Sequence, residues 1–453
     1  MTFLSRIAPA AILAAGIWNA ATAATLTAVP EQPLQAVLDR AQDGDVIEIG
    51  RGEYKGKFSI DRSLVLSGQP GVVLTGEGSG SVITVTAPDA TIRGVTIRGS
   101  GRNLQTMDSG VFLAQSAKRA VVENNRLEGN LFGIYVHGAA GSRVERNVVE
   151  GVQGGRLSEA GNGVSLWNAP DVTIAENTFR YGRDGIFTIT SRKDRFINNR
   201  FEHLRFAVHY MYTNDSEISG NVSIGNHIGY AIMFSNRLVI RNNASDRDRD
   251  HGMLLNSANY ADIEGNLVSG GRIDNIPATR DNSADNEPGM LPMENSSEGP
   301  RSGPEKCVFI YNANKNKFRN NWFEHCEIGV HFTAGSEGNE ITGNAFIGNR
   351  NQVKYVGTRD LDWSKGGLGN YWSDNPAFDL DGDGIADTAY RPNDVVDRVL
   401  WTAPQAKVLI NSPAVQVLRW AQAQFPALYP GGVIDSRPLI APPQKPTIRR
   451  TLQ

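Results

Sequence analysis

The run GIYVHGAAGSRVERN, from Gly133 to Asn147, opens on a small residue, alternates apolar with other side chains, passes through a small-residue turn and closes on an asparagine. The same order of residue types returns in GIFTITSRKDRFINN from Gly185, AVHYMYTNDSEISGN from Ala207, GMLLNSANYADIEGN from Gly252 and GVHFTAGSEGNEITGN from Gly329. Most copies start about two dozen residues apart. A period of that size, with an alternation of two inside it, describes one supersecondary unit that buries its apolar side only by stacking on its neighbours. The second and fourth positions are expected to face inward: Ile134 and Val136, Val164 and Leu166, Ile186 and Thr188, Val208 and Tyr210, Ile232 and Phe234, Val330 and Phe332. The asparagines that close the copies are Asn125, Asn147, Asn177, Asn199, Asn221, Asn243, Asn266, Asn321 and Asn344. They suit a tight turn because Asn tolerates left-handed backbone and its amide can bond along a stack. No copy has room for two helices of 3.6-residue apolar period. The expected fold is all-β, a right-handed parallel β-helix (solenoid) of roughly a dozen coils, with an N-terminal cap and a C-terminal helical and loop extension.

The chain begins with Arg6 ahead of the apolar run Ile7 to Trp18, followed by Ala21-Thr-Ala23. This reads as a secretory signal peptide over residues 1–23, with the mature chain starting at Ala24. No later stretch has the 18 or more uninterrupted apolar residues of a membrane helix, and the signal region has no cysteine to lipidate, so the protein is expected to be exported and soluble, without a membrane span of its own. A formal net charge of −3, 8% aromatic residues and no basic tract apart from Arg449-Arg450 argue against a nucleic-acid partner. The two cysteines, Cys307 and Cys326, fall in adjacent coils. In an oxidising compartment a disulfide is the first expectation, with a buried free pair or a copper thiolate site as alternatives.

Residues 24–100 read as an N-terminal cap and first coils, with an amphipathic segment at Leu34 to Ala41. The repeats occupy residues 101–356 and are interrupted by an insertion over 271–304 that contains Met290 and Met293. A loop of that length within a repeat is either functional or disordered. Residues 357–453 form a different region, read as a metal loop and docking segment. In it, Asp379-Leu-Asp381-Gly-Asp383-Gly-Ile385-Ala-Asp387 sets carboxylates at positions 1, 3, 5 and 9, glycine at 6 and the Ile385 carbonyl at 7. That is an oxygen-ligand loop for structural calcium, or magnesium in second place. It departs from an EF-hand at position 12, where Tyr390 replaces glutamate, and the bland alternative is an acidic turn without metal. Ser412-Pro413 opens a helix whose expected stripe is Val415, Leu418, Ala421 and Phe425, leaving Val417 and Trp420 for a partner or as plain surface of a cap.

Several stretches together resemble the NosD family of periplasmic copper-handling proteins. They are Glu305 to Asn316, Gly369-Asn-Tyr-Trp-Ser-Asp374, the acidic loop, Tyr390-Arg-Pro-Asn-Asp394 and Ser412 to Pro438. The resemblance covers nearly the whole mature chain. It implies a non-enzymatic protein that sits on an ABC permease and its cytoplasmic ATPase, receives copper from a copper-chaperone lipoprotein, and helps build the tetranuclear copper-sulfide site of nitrous oxide reductase, a denitrification enzyme.

Imidazole and thioether suit Cu(I), so His and Met at outward strand positions are the candidate contacts. Aligning copies by their first residue places His209 and Met233 in one outward column, with Met211 two residues along, and places His203 and His227 in one turn column. His331 falls about four coils further on, roughly 19 Å away. Met290 and Met293 form a second soft pair. The competing reading is that these residues only clothe the solenoid, as Tyr135, Trp167 and Phe187 do. A different class of function, a polysaccharide lyase or epimerase, would draw on Asp184 with Arg183 or Asp250 with His251, but no acidic metal cluster or basic row accompanies either pair. A third reading is a metal-free binding scaffold.

Overall fold

The computed structural model describes residues 23–271 and 304–447, apart from residues 334, 358, 403, 410–411 and 426–430. The expected signal peptide, apart from Ala23, and the Met290/Met293 pair lie outside the described residues.

Three parallel sheets of 13, 12 and 13 strands run the length of the molecule, each coil contributing one strand to each sheet. The 12-stranded sheet carries the longest strands, six residues each from Asp184–Ile189 through Asn351–Val356. Among the described residues one continuous apolar core fills the bore from Ala28 to Val433, which is the parallel β-helix expected from the repeat. The helix Leu34–Leu38 buries Leu34, Val37 and Leu38 over the first coil. Covering that end removes an open sheet edge.

Each coil needs a small residue where the long strand begins. A Cβ at Gly185 would meet Phe201 Cδ1 at 2.4 Å, and one at Gly252 would meet Val268 Cγ1 at 2.3 Å. The closing asparagines form a ladder through the interior. From Asn125 to Asn370 each Nδ2 reaches the next Oδ1 at 2.9–3.1 Å. The left-handed backbone falls one residue earlier than expected, on Asn124, Arg146, Glu176, Asn198, Gly220 and Asn242. The ladder asparagines themselves point inward because their amides must satisfy buried carbonyls, such as Ile174 O from Asn199 at 2.8 Å.

The spacing of coils is 22 residues between Asn177, Asn199, Asn221 and Asn243. Alignment by the first small residue therefore slips in one coil. Gly229, not Ala231, stands opposite Ala207, since Val208 pairs with Tyr230 and Tyr210 with Ile232. Consequently Tyr230 and Ile232 fill the core, while Phe234, expected inside, is 39% exposed and stacks on Tyr212.

Cys307 and Cys326 are joined in a disulfide with Cα atoms 5.7 Å apart. At the far end the asparagine ladder finishes on Asp435, which accepts from Asn370 N at 2.7 Å and Trp372 Nε1 at 2.8 Å. Ser412 caps the helix Pro413–Gln424 as expected, accepting from Val415 N. Its stripe is less buried than the spacing suggests: Leu418 and Phe425 are exposed along with Val417 and Trp420.

Candidate soft-metal face and acidic loop

The outer face of the 12-stranded sheet collects four of the seven histidines, His137, His209, His251 and His331, and two methionines, Met211 and Met233. Columns on this face follow from the register. One runs Phe187, His209, Ala231, Leu254, Phe309, His331. The next runs His137, Trp167, Ile189, Met211, Met233, Asn256.

This corrects the expected pairing. Met233 lies directly beside Met211, and His209 is opposite Ala231. The two methionines are thus closer neighbours than anticipated, about 4.8 Å apart along the stack, with His209 two residues before Met211 on the same face. His331 is four coils beyond His209, as expected. His203 and His227 do not share a column: Glu202 pairs with Ile224, which sets His203 opposite Gly225, while Phe206 pairs with Ile228, which sets His227 opposite Arg205. His203 stacks on Tyr181 at 5.4 Å.

Sequence reasoning missed what holds His209. Asp184, 1% exposed, receives a two-pronged contact from Arg205 at 2.8 and 2.6 Å and a hydrogen bond from His209 Nδ1 at 3.1 Å. Burial alone would raise its pKa, but the bonds from His209 and Arg205 outweigh it and hold the carboxylate ionised. An ionised carboxylate only accepts, so Nδ1 carries the proton of that bond. His209 Nε2 is buried and has no hydrogen-bond partner among the described residues. Phe187 and Phe206 flank the ring at 4.9 and 5.0 Å. The signal available in the sequence was the 22-residue spacing, which places Arg205 one coil above Arg183 and turns attention from the Asp184–Arg183 neighbours to Asp184–Arg205. Arg183 is instead desolvated, with its pKa lowered by burial and then by Arg205.

A second aromatic group surrounds His331. Its ring stacks on Phe309 at 4.8 Å, and His251 meets the same ring edge-on at 5.5 Å. Burial and the nearby Lys354 lower the His331 pKa to about 4.

In the acidic loop, oxygens of Asp379, Asp381 and Asp383 lie within 4.8 Å of one another. Asp379 accepts from Gly382 N and Gly384 N at 2.6 and 2.9 Å, and Asp387 accepts from Leu380 N at 2.8 Å. Ile385 donates its N–H to Asp383 at 2.8 Å. Oxygen-rich and exposed, the loop has the donor set of a hard divalent cation. Arg437 stands 3.3 Å from Asp383 and partly offsets the charge.

The parallel β-helix thus carries imidazole and thioether groups along one sheet and a carboxylate loop beyond its last coil. The chain belongs to the NosD family: residues 150–377 match the family described as periplasmic copper-binding protein. A relative from Stutzerimonas stutzeri, "Probable ABC transporter binding protein NosD", is 39% identical over 86% of each chain. Its namesake from Pseudomonas aeruginosa is 39% identical over 91% of this chain and 92% of that one. Among solved structures the chain is similar to the A-module of the Azotobacter vinelandii mannuronan C-5 epimerase AlgE6, with TM-score 0.49 and 13% identity over 71% of this chain and 90% of that one. No helix among the described residues is long and apolar enough to cross a membrane.

Proposed function

We propose that this protein is the periplasmic component of an ABC-type assembly that matures the tetranuclear copper-sulfide site of nitrous oxide reductase. The observation that carries this reading is the similarity over nearly the full length to relatives named as ABC transporter binding proteins of a copper-binding family. The permease and its ATPase are the partners that turn over, a copper-chaperone lipoprotein supplies the metal, and the protein itself is a non-enzymatic scaffold exported by residues 1–23. The solenoid suits that work because its coils hold side chains at fixed spacing along a rigid face. Calcium, or magnesium, at Asp379, Asp381, Asp383 and Asp387 is structural in this reading. Asp184 as the base of a polysaccharide lyase is disfavoured by its bonds to Arg205 and His209, which engage both carboxylate oxygens.

The test is the metal content and visible spectrum of nitrous oxide reductase purified from a host lacking only this protein. The expected enzyme keeps its binuclear electron-transfer copper and lacks the tetranuclear site. An enzyme with both sites intact overturns the assignment.

A further inference from the structure

We propose that Nε2 of His209 and the thioether sulfurs of Met211 and Met233 form a three-ligand Cu(I) site, with Asp184 as the residue that positions the imidazole. The inference rests on the reading that copper is handled by this protein, and says where.

Three independent features converge. First, the register sets Met211 and Met233 side by side in adjacent coils, and His209 shares their outward face two residues before Met211, about 6.7 Å along the strand. Second, the His209 side chain is 9% exposed, and its Nε2 has no hydrogen-bond partner among the described residues. A buried unpaired imidazole nitrogen is costly unless something binds it. Third, the tautomer is set. With Nδ1 engaged by the Asp184 carboxylate, which Arg205 holds in place, Nε2 is the ring nitrogen left to bind, the arrangement in which a carboxylate orients a metal-binding histidine.

Direction follows from the same bond. Asp184 lies in the preceding coil, opposite Phe206 at the start of the strand, three residues before His209. The two ring nitrogens sit across Cε1 from each other, so holding Nδ1 toward Asp184 turns Nε2 away from that coil and that end of the strand. The next coil in that direction presents Ala231, whose methyl is fully buried, and then Met233. The residues after the two methionines, Tyr212 and Phe234, stack at 5.1 Å and wall the patch with aromatic carbon. Neutral sulfur and nitrogen donors in an aromatic setting select Cu(I) over hard cations. His331 is too far to contribute, four coils beyond His209.

The test is a Cu(I) competition titration of the exported full-length protein against a chromophoric chelator, anaerobically with ascorbate, followed by copper X-ray absorption. The wild type is expected to hold one Cu(I) with one nitrogen and two sulfur neighbours. M211L/M233L, which conserves side-chain volume, is expected to bind at least about tenfold more weakly, while M290L/M293L binds as wild type. D184N is expected to lose roughly tenfold and its nitrogen neighbour while keeping both sulfurs, a change that altered folding alone would not produce. Absence of Cu(I) binding by the wild type, wild-type affinity in M211L/M233L, or a spectrum without sulfur overturns the site. If M211L/M233L still restores the reductase's tetranuclear site in a host lacking the wild-type protein, the maturation role stands and this site falls.

Discussion

Asp184 and Asp248 are both buried aspartates, three coils apart, and their pKa values shift in opposite directions. Asp184 faces Arg205 and His209, which hold it ionised. Asp248 faces only neutral donors, Ser245, Ser223 and the Asn226 N–H, and burial pushes its pKa up to about 7. Asp194 is raised to about 7 for the same reason. A raised carboxyl binds its proton more tightly folded than unfolded, so its stabilisation is full below the ordinary value of 3.8 and is lost as pH rises through about 7. For each of these two carboxyls that difference in proton affinity is worth roughly 4 kcal/mol at the upper limit. His227 and His331, lowered to about 4, act with the other sign: their stabilisation is full above 6.5 and is lost as pH falls through about 4. D248N is therefore expected to be more stable relative to wild type at pH 8 than at pH 5. Urea midpoints of both proteins at the two pH values measure this, and a constant difference would contradict it. None of these shifts was legible in the sequence, where Asp248 is one acid among several in Asp246-Arg-Asp248-Arg-Asp250. Burial depends on which side of the coil the turn presents.

At the scale of the element, the asparagine ladder binds the coils. Asn199 illustrates its bonds: its Nδ2 donates to Ile174 O at 2.8 Å and Asn221 Oδ1 at 3.0 Å, and its Oδ1 accepts from Asn177 N at 3.0 Å. Asn199→Ala leaves a buried carbonyl and a buried N–H without partners, each costing about 1–3 kcal/mol. The expected loss is roughly 2–6 kcal/mol in chemical denaturation. Hydrogen exchange is expected to speed up in the coils around Asn199 before those at the ends, because repeat stability is a sum of neighbour terms. The ladder was visible in the sequence as a recurring residue. Its register was not fully so. Matching Ala231 to Ala207 misplaced Phe234 inside and moved Met233 away from Met211, because a small residue can start a strand at more than one position while the core admits only one phase.

For the whole molecule, both ends of the stack must be closed. The N-terminal helix closes one end. At the other, the segment from Asp435 to Ile440 straps the acidic loop onto the last coil: Leu439 bridges Tyr371 and Ile385, and Ala386 N donates to Pro438 O at 2.8 Å. A cation held at Asp379, Asp381 and Asp383 would thereby be coupled to the order of the final coil. Calcium is expected to raise the melting temperature in a concentration-dependent way, and chelation or D381N/D383N to lower it and promote association through the uncovered edge. Thermal scans with light scattering, with and without calcium, test the link. A melting temperature indifferent to calcium would leave the loop as an acidic turn.

What the residues determined alone was the architecture. An alternation of two inside a period near two dozen has one stable solution, and a lone coil cannot bury its apolar side. Cysteines in adjacent coils were enough to expect the disulfide, and the carboxylate spacing was enough to expect the acidic loop. The tertiary structure alone decided which polar groups meet. Asp184, Arg205 and His209 come together across coils, and Met211 meets Met233, because neighbours in a solenoid are set by hydrogen-bond register rather than by distance along the chain. A slip of two residues preserves the alternation of inside and outside while exchanging every neighbour on the surface, so the pattern that specifies the core leaves the face unspecified.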